Sequence, residues 1–193
     1  MLTGDHPFTA VSIAYSCGLI ERSDHVVMVT SYKYEEINNM LIDIIDSEEE
    51  KKNVCIVITG DSLTIIQKQS SHALKYLFER AINKAKCVIC SRVSPKQKAE
   101  LIMIVKNCDP HRTTLAIGDG ANDVNMITAA DVGIGIMGNE GQQAARASDY
   151  VIGQFSFLRR LMFVHGREAY RKNSFAVGYI LWKNFMYVMP CIM

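Results

Sequence analysis

The apolar positions of this chain switch between two periods, and the switch repeats along most of its length. Short apolar or β-branched runs at 26–30, 54–59, 87–90, 113–117, 132–136 and 150–152 have the length and composition of strands, several of them buried on both faces. Between them, apolar residues recur at helical spacing. Ala10, Ile13, Ala14 and Cys17 follow Pro7, which suits a first helical turn, and stop at Gly18. Ile37, Met40, Leu41, Ile44 and Ile45 form one face of a helix over 34–45, and Leu74, Leu77, Phe78, Ala81, Ile82 and Ala85 form another. Leu101, Ile102, Val105 and Cys108 mark a third, and helices are expected over 121–130 and 142–147. A loop over 138–141 and a charged connection over 47–53 separate elements. Strands alternating with helices predict an α/β fold: a Rossmann-like, doubly wound, mainly parallel sheet with its site at the carboxyl ends of the strands.

From residue 157 the character changes. Arg159, Arg160, Arg167, Arg171 and Lys172 precede a segment, 175–193, that is almost wholly apolar apart from Lys183 and Asn184. Basic residues flanking an apolar run fit a cytosolic membrane entry. At ~1.5 Å per residue the segment nearly crosses a hydrocarbon core of about 30 Å. A lysine there is costly and faces a protein interior or an aqueous path. The chain therefore divides into an α/β domain over 1–156, a basic connection over 157–174, and a partial transmembrane helix over 175–193.

Composition narrows the picture. A chain of 193 residues buries one core plus an appendage. With 21 basic and 20 acidic side chains, no global field argues for nucleic acid. The six cysteines lack the spacing of a secreted disulfide framework and read as reduced thiols. Cys87 and Cys90 look like a metal or redox pair, but a spacing of three on a strand points them to opposite faces, and no second Cys/His pair completes a zinc site.

The chemistry gathers at Leu115-Ala116-Ile117-Gly118-Asp119-Gly120-Ala121-Asn122-Asp123. Asp119 falls at the carboxyl edge of the sheet, with Asn122 and Asp123 in the first turn of the next helix. One Asp there is explained by a capped turn. Two carboxylates and an amide in a glycine turn make an oxygen-rich site suited to Mg²⁺ bridging to a phosphate. Ser94 to Gln97 has the capping-box pattern with Pro95 at the first helical position. On that helix Lys98 shares the inward face of Leu101, Ile102 and Val105, whereas Lys96 points away with Glu100 and Asn107. Lys98 is thus the cation aimed over the sheet edge; the alternative is a snorkelling lysine with no ligand.

Gly118 to Asp123 resembles the metal motif of the haloacid-dehalogenase superfamily, in the form found in P-type ATPases. Thr3-Gly4-Asp5 resembles their second motif, in which a Thr hydroxyl and backbone N–H groups hold phosphoryl oxygens. Arg92-Val93-Ser94-Pro95-Lys96-Gln97-Lys98 resembles their third, whose final Lys contacts the same phosphate. Cys90 to Pro95, Gly138 to Tyr150, Gln154 to Arg159, Val164-His165-Gly166 and Trp182-Lys183-Asn184 resemble the phospholipid-flippase branch, and the resemblance covers essentially the whole chain. It implies ATP and Mg²⁺ as cofactors, a phospholipid substrate, an integral membrane location with the catalytic part cytosolic, and room for an accessory subunit. By motif match, Asp119 and Asp123 serve the metal. Thr3, Gly4, Lys98 and Asn122 would hold phosphoryl oxygens, with Asp5 toward the nucleotide and Arg92 among the phosphate or nucleotide contacts. Lys98 and Asp119 would be catalytic, and Lys183 and Asn184 would line a lipid path. The stretch 157–174 would be a stalk.

Two features depart from the pattern. Thr3-Gly4-Asp5-His6-Pro7 reads more like the ion-pump form of its motif, and the family's phosphorylated Asp, in Asp-Lys-Thr-Gly-Thr, does not occur in the chain. The expectation is a fragment of a flippase, inactive by itself because its nucleophile lies upstream of Thr3. An ion-transporting P-type ATPase, a soluble phosphatase of the same superfamily and a non-catalytic fragment are the alternatives.

Overall fold

The computed structural model describes residues 1–46, 53–68, 72–109, 111–138 and 142–192. The expected connection over 47–53 and loop over 138–141 lie, apart from their ends, outside the described residues. In chain order the elements are α1 (Pro7–Ser16), β1 (His25–Val29), α2 (Tyr34–Asp46), β2 (Val54–Thr59), α3 (Gly60–Gln67), α4 (His72–Lys84), β3 (Cys87–Ser91), α5 (Pro95–Cys108) and β4 (Leu115–Gly118). A 3₁₀ turn (Ala121–Asp123), α6 (Val124–Ala129), β5 (Val132–Ile136), α7 (Gln143–Ala147) and β6 (Tyr150–Ile152) complete the α/β part.

Every strand pair is parallel, as expected. The strands form two three-stranded sheets, β1-β2-β3 and β4-β5-β6, instead of the one continuous sheet expected. The outer edge of β3 takes the first residues of the chain, through a parallel bridge from Leu2 to Cys90 and backbone bonds from the Cys90 N–H to the Met1 carbonyl at 2.8 Å and from the Thr3 N–H to the Cys90 carbonyl at 2.9 Å. Among the described residues β4 has a strand neighbour on one side only, so no described strand joins the two sheets.

The first sheet is covered on both faces, which is why all six residues of β2 are buried. Val54, Ile56 and Ile58 pack with Ile37, Leu41, Leu74, Phe78 and Leu101 from the helices on one face. Cys55 and Val57 pack with Ala10, Ala14 and Ile20 on the other. Alternate strand residues reach opposite layers, and Cys87 and Cys90 divide between the two as their spacing required.

Three helical expectations need correction. In α1, Ile13 and Cys17 are exposed, because the helix lies on β2 and β3 through its small residues Ala10 and Ala14. In α5 the buried line is Lys98, Leu101 and Ile104, with Ile102 and Val105 only half-buried, because α5 rests against α4 and α6 on different sides. The sequence reading also missed α3, a short helix capped by Thr59, whose hydroxyl accepts the Ser62 N–H at 3.4 Å.

Beyond residue 157 the chain is helical almost without interruption: α8 (Leu158–Arg160), a π-helical stretch (Leu161–Gly166) and α9 (Arg167–Ile192). Phe175, Trp182, Phe185 and Tyr187 are all more than half exposed. Among the described residues no helix is long and apolar enough to cross a membrane. α9 covers 175–192 of the segment expected to be a partial transmembrane helix, with Lys183, Asn184 and Pro190 within it.

Candidate active site

Thr3, Gly4 and Asp5 lie along the carboxyl end of β3, held by backbone bonds. The Thr3 N–H donates to the Cys90 carbonyl at 2.9 Å, the Val93 N–H to the Thr3 carbonyl at 3.3 Å, and the Arg92 N–H to the Asp5 carbonyl at 3.2 Å. The Thr3 hydroxyl donates to Asp5 Oδ2 at 2.8 Å and accepts the Asp5 N–H at 3.1 Å, a closed local turn. Arg92 has φ +52°, in the left-handed region that costs a side-chain-bearing residue about 1–2 kcal/mol. This kink lets the chain leave β3 and enter α5, where Ser94 and Gln97 form the reciprocal cap read from the sequence.

α5 then aims Lys98 inward. Its Nζ donates to Asp123 Oδ1 at 2.7 Å, and both side chains are nearly buried, at 11% and 14% exposure. Lys96 pairs outward with Glu100 at 3.7 Å, as its spacing required. Because α5 follows β3 and the turn carrying Asp123 follows β4, this ion pair links the carboxyl ends of the two sheets, alongside the packing of α5 on α6.

Asp119 is exposed one residue beyond β4. Among the described residues, neither its carboxylate nor the Asn122 side chain has a hydrogen-bond or ion-pair partner. Gly118 is needed here: a Cβ would run into the Asp123 side chain, with Oδ2 only 2.7 Å away. Among the described residues no cluster of three or more His, Cys, Asp or Glu could hold a metal by protein groups alone. Asp119 and Asp123 therefore offer two carboxylates. That is the usual protein share for Mg²⁺ that also binds a phosphate and water.

A supporting network escaped the sequence reading. Asp131 accepts from the Thr114 N–H and hydroxyl, each at 2.8 Å, and pairs with Lys106 at 2.8 Å. The Lys106 ammonium, and then the Thr114 donors, hold the Asp131 carboxyl down at about 2. The network ties α5 to β4 and β5 on the side away from Lys98. Only its ends were visible beforehand: an Asp directly before an apolar strand, and a Lys two helical turns after Lys98.

The structure thus joins Thr3, Gly4 and Asp5 with Arg92, and Lys98 with Asp123 near Asp119. It does not bring Lys183 and Asn184 to this site. Both are exposed on α9, with Lys183 about 24 Å along that helix from Arg167 at ~1.5 Å per residue.

Two family models match the chain: haloacid dehalogenase-like hydrolase over 10–156, and phospholipid-translocating P-type ATPase C-terminal over 145–193. The chain is similar to phospholipid-transporting ATPase 2 of Arabidopsis thaliana, at 44% identity over 96% of the chain and 17% of that protein. A probable phospholipid-transporting ATPase of Saccharomyces cerevisiae, DNF3, is 44% identical over 90% of the chain and 10% of its own length. The Caenorhabditis elegans phospholipid-transporting ATPase tat-1 is 42% identical over 95% of the chain and 16% of its own length. The chain spans less than a fifth of each of these three relatives. By these matches the chain belongs to the haloacid dehalogenase-like hydrolase family, and within it to the phospholipid-transporting P-type ATPase branch.

Proposed function

We propose that this chain supplies the metal- and phosphate-binding part of an ATP-driven phospholipid transporter, in which an aspartate outside the chain is transiently phosphorylated. The observation that carries the reading is the nearly buried Lys98–Asp123 pair, at 2.7 Å, beside the exposed carboxylate of Asp119, which has no partner among the described residues. A phosphate dianion and carboxylates repel one another, so the site needs fixed cations. Lys98 provides one, oriented by Asp123. Asp119 and Asp123 would hold Mg²⁺, which supplies charge neutralisation on the transferring phosphoryl oxygens. The Thr3 hydroxyl and the Gly4 backbone would bind phosphoryl oxygens after Asp5 releases the hydroxyl, and the Asn122 amide would join them. Asp5 and Arg92, exposed at the rim, would face the nucleotide.

Among the described residues β4 has one edge with no strand partner, and that edge supports a nucleophile carried by a further parallel strand of the same polypeptide. Its aspartate would attack the γ-phosphorus of ATP, release ADP, and later lose the phosphoryl group to water. α8, the π-helical stretch and α9 would carry the resulting movement toward the membrane, where Lys183 and Asn184 would contact the lipid path. Their exposed place on α9, about 24 Å along that helix from Arg167 at ~1.5 Å per residue, supports a role in transport and not in phosphorylation. A vesicle-reconstituted chimera of the Arabidopsis relative, carrying this chain in place of its matching segment, tests the transport role. Lys183→Ala should lower lipid-stimulated turnover while basal phosphorylation persists. Equal loss of both activities, or of neither, would make Lys183 a structural residue.

A further inference from the structure

The strand register makes a pair that the sequence conceals. Cys87 was expected to face away from Cys90, and it does; its partner across the sheet is Cys55. The two residues are directly register-paired on the neighbouring parallel strands β2 and β3, and both belong to the layer packed under α1. Neighbouring strands lie about 4.8 Å apart. That falls inside the Cα separation of about 4.4–6.8 Å that a disulfide spans. Cys55 is fully buried, whereas Cys87 is half-buried, so an oxidant reaches Cys87 first.

A buried carboxylate adjoins the pair. Asp24 Oδ2 accepts from the Glu21 N–H at 2.8 Å, from Lys86 Nζ at 2.9 Å and from the Cys55 thiol at 3.8 Å, and Oδ1 accepts from Asn53 at 3.3 Å. Burial, with Cys87 beside it, pushes the Cys55 thiol up to about 12. Cys55 is therefore kept as a neutral thiol until an electrophilic sulfur forms next to it.

We propose that Cys55 and Cys87 form a reversible disulfide when a hydroperoxide reaches the amino-terminal edge of the first sheet, at the opposite end of the strands from Lys98. The Cys87 sulfur attacks the peroxide oxygen, the O–O bond breaks, and Cys87 sulfenic acid and water (or an alcohol) result. The Cys55 sulfur then attacks the Cys87 sulfur. The S–O bond breaks, the Cys55 proton leaves by way of Asp24 Oδ2, and a second water forms. Two thiols and one peroxide thus give one disulfide and two waters. The bond closes the ring from 55 to 87, which holds α3, α4 and the edge between β2 and β3. It does not depend on the chain's role in lipid transport.

The test uses the 193-residue chain with hydrogen peroxide, in native buffer and in guanidinium, followed by alkylation of remaining thiols and peptide mapping without reduction. The expected result in native buffer is a Cys55–Cys87 linked peptide as the dominant product, with loss of two hydrogens. Dithiothreitol should restore both thiols, and either Cys55→Ser or Cys87→Ser should abolish the linkage. In guanidinium the linkage should scatter among Cys17, Cys87, Cys90 and the other thiols. The proposal is overturned by the same product distribution in both buffers, by Cys87 oxidised to sulfinic acid while Cys55 alkylates freely, or by native linkage of Cys87 to another cysteine.

Discussion

β2 has all six residues buried, whereas β4 alternates from exposed Leu115 to buried Gly118 over four. The first sheet has a core on each face. The second is tightly packed on one side by α6 and α7, and on the other an apolar pocket of about 370 Å³ opens beside the π-helical stretch. Leu115, Ile134, Tyr150, Met162 and His165 line it. The first sheet is therefore held by packing. The second depends more on polar ties: Asp131 to Thr114 and Lys106, the Asp149 carboxylate to the Gly133 N–H at 2.7 Å, and Lys98 to Asp123. The residues proposed for phosphoryl chemistry sit where the well-packed region meets the loosely packed one. Charge placed there is used for binding and also joins the two halves.

The sharpest contrast between the sheets should come from core truncation. Phe78→Ala, in the fully buried first core, should cost about 3–5 kcal/mol. Leu115→Ala, at a position 38% exposed on the second sheet, should cost about 1 kcal/mol. Equal shifts in the chemical-denaturation midpoint would break the distinction. Next in size, Lys98→Met leaves Asp123 nearly buried and unpaired, and should cost about 3 kcal/mol. The double change Lys98→Met with Asp123→Leu should recover most of that loss. A double variant as weak as the sum of both singles would mean that the pair does not join the halves.

The polar ties also predict a pH dependence for the second sheet. Asp131 titrates lower in the folded state, at about 2, than its ordinary value of 3.8. Its contribution is present above the ordinary value and is lost as pH falls from about 4 toward 2. Asp131→Asn should flatten that part of the stability profile, and an unchanged acid limb would remove Asp131 from the set of ties. The smallest effect is expected at Arg92. Arg92→Gly relieves the left-handed backbone and should raise stability by at most about 1 kcal/mol, less the added freedom of the unfolded chain. A clear loss would show that the Arg92 side chain holds the turn.

Much of this was legible beforehand, for identifiable reasons. Buried parallel strands such as β2 and β5 announce themselves by β-branched composition, and the inward turn of Lys98 follows from its alignment with Leu101. The opposite faces of Cys87 and Cys90 follow from the strand period. Features that depend on pairing across the sheet were not legible. The Cys55–Cys87 register, the Asp131 network and the division into two sheets are set by which strands become neighbours, and residue spacing carries no record of that. Nor does spacing separate a small face from a large one: Ala10 and Ala14 won the α1 contact over Ile13 because close approach to β2 and β3 favours them.

The most direct measurement is acyl-phosphate formation from γ-labelled ATP by the Arabidopsis chimera described above, with the isolated 193-residue chain alongside. The isolated chain, which contains no Asp-Lys-Thr-Gly sequence, should take up no hydroxylamine-sensitive label. The chimera should take it up in a Mg²⁺-dependent manner. Asp119→Asn and Lys98→Met should each reduce it sharply, the first by removing a metal ligand and the second by removing the fixed cation. Stable label on the isolated chain, or an Asp119→Asn chimera phosphorylated at the normal rate and with the normal metal dependence, would contradict the site.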